Sequence, residues 1–182
     1  MATDLQPLTQ EQFNVVLDSL VEKTSPHHDS WGFLRAIVNP EFNDPVMIEN
    51  YRRHVRECGK KNSYLIVVDL QTPEPINKNP GWLMNQLGRQ TEVSPARKNY
   101  TYHDLMMGFA STELLFLYNL DTLTTKKGTP HDQSLELLLS LFRNDHLARV
   151  LIPDTEPTWA VIGHHRLASA FMQVDLAEGY WV

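Results

Sequence analysis

Histidine is followed by aspartate three times in this chain, at His28–Asp29, His103–Asp104 and His131–Asp132. For a chain with 8 histidines in 182 residues, chance predicts about half of one such doublet. Imidazole nitrogen and carboxylate oxygen together suit zinc, iron or manganese. A neighbouring carboxylate can also hold an imidazole in one tautomer. Each doublet has a plainer reading beside that one. Asp29 and Asp132 stand just ahead of predicted helices, where aspartate caps free backbone N–H groups. Asp104 falls in a first helical turn, where negative charge suits the helix dipole.

Geometry removes several groupings of these side chains. His131 and His146 bracket one predicted helix, which at its rise per residue separates them by about 22 Å. His164 and His165 are adjacent, so they diverge on a helix and point to opposite faces on a strand. One combination survives: His54, then His103–Asp104, then Asp175. A histidine, a His-Asp doublet and a distant aspartate, in that order, resemble the ligand set of the HD-type metal-dependent phosphohydrolases. The resemblance covers only those residues. It implies a divalent metal ion held by His54, His103, Asp104 and Asp175, with metal-bound water as nucleophile. The chain departs from that family in placing Asn99-Tyr100-Thr101-Tyr102 ahead of the doublet, where the family has an apolar stretch in a helical domain.

Three further features could carry chemistry or contacts. Asp69 ends an apolar run, the position from which open α/β sheets present ligand-binding groups. It is a catalytic candidate beside His103 and Asp104, its plainer role being to cap the following turn. Cys58 has no partner for a disulfide or a zinc knuckle and is read as a core residue on the apolar face of its helix. Arg52, Arg56 and Lys60 recur every four residues and line one stripe of that helix, a solvated face or a partner contact. Trp82, after a proline-rich loop, is a candidate anchor for a protein partner. Glycine-rich phosphate loops, nucleophile elbows and H-E-x-x-H zinc motifs do not occur.

The elements that must position these residues are legible in part. Thr9 and Gln12 have capping-box spacing, and Phe13, Val16, Leu17, Leu20 and Val21 form one helical face. A short helix is predicted over Trp31–Val38, closed by Asn39-Pro40. Asp44-Pro45 opens a third helix carrying Met47, Ile48, Tyr51 and Val55. The period then changes. Tyr64–Leu70 is a β-branched run that predicts a strand buried on both faces in the middle of a sheet. Short helices follow from Trp82 and from Thr101, and Leu114–Leu120 fits either helix or strand. A strong helix starts near Asp132. Ala148–Ile152 and Thr158–Ile162 read as two strands joined by a hairpin loop at residues 153–157. His164–Met172 reads as a short helix, and the aromatic tail Asp175–Val182 as packed down.

These elements predict an α+β fold in one domain over residues 1–182. Its N-terminal part is helical, its C-terminal part β-rich, and its sheet small and mixed or antiparallel, with the 64–70 strand inside. The composition, 42% hydrophobic and 21% charged, suits a globular chain. A net charge of −6 disfavours general nucleic-acid binding. One cysteine, no signal-peptide pattern and no membrane-length apolar run predict a cytoplasmic protein with no membrane partner.

The function expected first is a non-enzymatic interaction module, a regulator, inhibitor or immunity-like partner of another protein, with no cofactor. The metal-dependent hydrolase is the second expectation. The third is a structural subunit of a larger assembly, homo-oligomeric or otherwise.

Overall fold

The computed structural model describes residues 8–23, 35–39, 42, 44–59, 65–72, 76–91, 98–109, 112, 114–143 and 149–174. Strands and helices alternate: α1 (Gln10–Lys23), β1 (Arg35–Val38), α2 (Pro45–Glu57), β2 (Leu65–Asp69), α3 (Pro80–Gln90), α4 (Tyr102–Phe109), β3 (Leu114–Tyr118), α5 (Asp132–Phe142), β4 (Arg149–Pro153), α6 (Glu156–Ile162) and β5 (Met172–Val174). The strands form one five-stranded sheet in the order β2-β3-β4-β1-β5. Every pairing is parallel.

This corrects the expected α+β fold with a mixed or antiparallel sheet: the fold is α/β, and strands are spread along the chain rather than gathered at its C-terminal end. The reason is connectivity. Each strand is separated from the next by at least one helix, and a helical crossover returns the chain parallel to itself.

Two local misreadings produced the error. Residues 35–38 are a strand, not the end of a helix. Ala36, Ile37 and Val38 are all buried, a run too short for periodicity to separate the two states. Residues 158–162 are helical and make no hairpin with β4. The Thr155 side chain caps α6 by accepting from the Thr158 N–H, and Pro157 sits in the first turn. The segment after α6 is a turn and a 3-10 helix at Ala168–Ala170, leading into β5. The aromatic tail, residues 175–182, lies outside the described residues.

Alternate residues of each strand feed two apolar layers. On one face Ala36, Val38, Leu65, Leu114, Phe116, Tyr118 and Leu151 pack against Phe13 and Leu17 of α1 and Ile48, Tyr51 and Val55 of α2. On the other, Ile37, Ile66, Val68, Leu115, Leu117, Val150 and Ile152 pack against α3, α4, α5 and α6. β2 lies at a sheet edge rather than in the middle. Its apolar run reports helices on both faces, not strands on both sides. Gln90, at the end of α3, covers part of that edge. Its amide accepts the Asp69 N–H and donates to the Asp69 carbonyl, both at 2.7 Å, as a neighbouring strand would. No described helix is long and apolar enough to cross a membrane.

Candidate functional site

Travel along the sheet reverses after β2. From β1 the chain crosses to the far edge over the α2 face, and from β2 onward it returns over the other face through α3–α4, α5 and α6. Crossovers of one hand require that change of face. β1 and β4 are neighbours whose outgoing connections leave on opposite faces, so the C-terminal ends of these strands form the topological switch point where such sheets bind ligands.

Side chains of the chain itself occupy this place. After β1, Phe42 is fully buried and stacks on Phe13 with ring centroids 5.1 Å apart. Its carbonyl accepts the Tyr118 hydroxyl at 2.8 Å. Burial, reinforced by the charges of Asp44 and Asp69, pushes the Tyr118 phenol far above its ordinary pKa, so it remains a donor. Asp44 caps α2 by accepting the Val46 N–H at 2.8 Å, and Pro45 removes another donor from that turn. After β4, Asp154 accepts from Trp159 Nε1 at 2.7 Å and Gln173 Nε2 at 2.9 Å, and its backbone N–H donates to the Val38 carbonyl. The helix N-termini that could cradle an anion are thus capped from within: Asp44 serves α2, and Thr155 serves α6.

A second polar group lies at the ends of β2 and β3. Asp69 Oδ1 accepts from the Gln71 N–H at 2.8 Å and from Asn119 Nδ2 at 2.7 Å. Asn119 adopts the left-handed region at φ 56°, which asparagine tolerates better than most residues. Thr122 Oγ1 donates to the Leu70 carbonyl at 2.9 Å. Asp69 therefore ties two strand ends together. Nearby, the starts of α3 and α5 meet where the Ser134 hydroxyl donates to the Lys78 carbonyl at 2.6 Å, beside the buried His131.

The residues singled out in the sequence scatter. His54 faces α1, its Nε2 2.9 Å from Asp18 Oδ2, while Tyr51 donates to the other carboxylate oxygen at 3.0 Å. His103 is exposed on α4. Asp104 accepts from the Thr101 N–H and hydroxyl at 2.9 and 2.8 Å. α2 and α4 lie on opposite faces of the sheet, so the structure does not bring His54 together with His103–Asp104. Asp175 and Lys60 lie outside the described residues, as do His28, Asp29 and His146. Among the described residues, no group of three or more His, Cys, Asp or Glu is placed to hold a metal ion.

Arg52 and Arg56 both reach Glu49, at 3.5 and 3.4 Å. Trp82 is half-buried against the core, with Lys78 Nζ 5.6 Å from its ring centroid. Cys58 is exposed at the end of α2 and is not a core residue. The helix ends there, so the apolar stripe that predicted its burial has nothing left to pack on.

Sequence reasoning passed over Asp18, Lys78 and Asp154. Asp154 carried a usable signal, since like Asp69 it directly follows an apolar run. Asp18 borders the apolar face of α1, which marks a carboxylate with a partner. Nothing in the proline-rich loop pointed to Lys78. No protein-family model matches this chain, and no curated protein matches it either.

Proposed function

We propose that the chain is a non-enzymatic interaction module that acts by binding another protein. The observation that carries this reading is the filled switch point. Phe42, Tyr118, Asp44, Thr155 and Asp154 spend their polar groups on one another, on neighbouring backbone or, for the Asp154 carboxylate, on the Trp159 and Gln173 side chains, where an α/β enzyme would hold its ligand. Function resides in sites rather than in folds, and a rim closed by its own side chains favours use of the outer surface. The face assigned first is the outside of α2, where Arg53 and Arg56 are exposed and Arg52 is half-buried. A partner with an acidic patch fits the exposed guanidinium groups of Arg53 and Arg56. Trp82 lies on the opposite side of the sheet and belongs to a separate contact if it makes one.

Thermal unfolding with 1 mM ATP, GTP, NAD or inorganic phosphate, each with Mg2+, tests the first half of the proposal. A ligand at about 100 times its Kd would stabilise the fold by about 2.7 kcal/mol, and the midpoint would rise by several degrees. No such rise is expected. A saturable rise, or hydrolysis of a phosphate ester, overturns the reading. The second half is tested by native mass spectrometry of chain isolated gently from its own cells. A stoichiometric complex with a second protein is expected, and it should be lost in the Arg53→Glu/Arg56→Gln variant, whose circular dichroism should match that of the parent chain. Chain that is always recovered alone overturns it.

A further inference from the structure

We draw no further inference here: the strongest candidate, the exposed Cys58 thiol beside the His54–Asp18 pair at the C-terminal end of α2, is a lone cysteine whose sulfur lies nearly equidistant from both imidazole nitrogens, at 3.9 and 3.8 Å, and so is set for proton transfer to neither, and no second observation among the described residues points to a ligand there.

Discussion

Gly88 sits in the interior of α3 beneath the ring of Tyr100, and a Cβ built on it would lie 2.2 Å from the ring's Cγ. Tyr100 is buried, and its N–H donates to Asn85 Oδ1 at 3.0 Å, so ring and backbone are both anchored. Gly88→Ala gains about 1 kcal/mol of helix propensity but forces an overlap that typically costs about 1–3 kcal/mol. We expect a net loss of about 1 kcal/mol in a urea titration. An unchanged or higher midpoint would mean that Tyr100 swings aside freely. The sequence offered no hint of this contact, because a glycine in a helical pattern reads only as a weak point. Asp69 was legible as a strand-end carboxylate, yet its two hydrogen-bond partners, Gln71 and Asn119, emerge only when β2 and β3 pair.

Helix starts were the most legible elements, because a cap is a local chemical device. Thr9 and Gln12 bond each other's N–H groups, Asp44-Pro45 opens α2, and Thr101 pairs with Asp104 at α4. Contacts between elements carried no such signature. Glu136 on α5 is held by both Arg166 and His165, which follow α6. His165 Nδ1 accepts the Leu167 N–H at 3.0 Å, leaving Nε2 to donate to Glu136. The Arg166 guanidinium, foremost, keeps the Glu136 carboxyl below its ordinary value of 4.5. A depressed carboxylate stabilises the fold above its unfolded pKa, and that contribution fades as pH falls through the folded one. Glu136→Gln should therefore lower stability near neutrality and flatten the acid limb below about pH 4.5. Parallel stability–pH curves for the two proteins would show that the cluster is only a surface contact.

For the whole molecule, the decisive feature is one parallel sheet shared by two helical layers. β3 is buried along its full length, and Phe116 faces the α1–α2 layer, stacked on Tyr118 with centroids 6.0 Å apart. Truncating a buried phenylalanine costs about 3–5 kcal/mol. Phe116→Ala should lose that much, and both layers should fail together, because neither keeps a sheet without the other. Far-UV circular dichroism and tryptophan fluorescence, read in a Trp31→Phe/Trp181→Phe background so that the emission comes from Trp82 and Trp159 on the α3–α6 side, are expected to give coincident transitions. A fluorescence transition left unmoved while circular dichroism shifts would mean that the layers unfold separately.

By itself, the sequence determined where most helices begin, the apolar face of α1, and the strand character of residues 65–69, because capping groups and hydrophobic periods act within a few residues of the chain. Only the tertiary structure decided that the strands run parallel, that β2 is an edge, and that residues 35–38 form a strand while 156–162 form a helix. Short apolar runs are nearly degenerate between strand and helix until their neighbours bury them. The candidate site follows the same division. His54 and His103–Asp104 looked compatible along the sequence, and the sheet that separates α2 from α4 keeps them on opposite faces. Lys78 and Asp121, far apart in the chain, come into each other's field because β2 and β3 pair side by side.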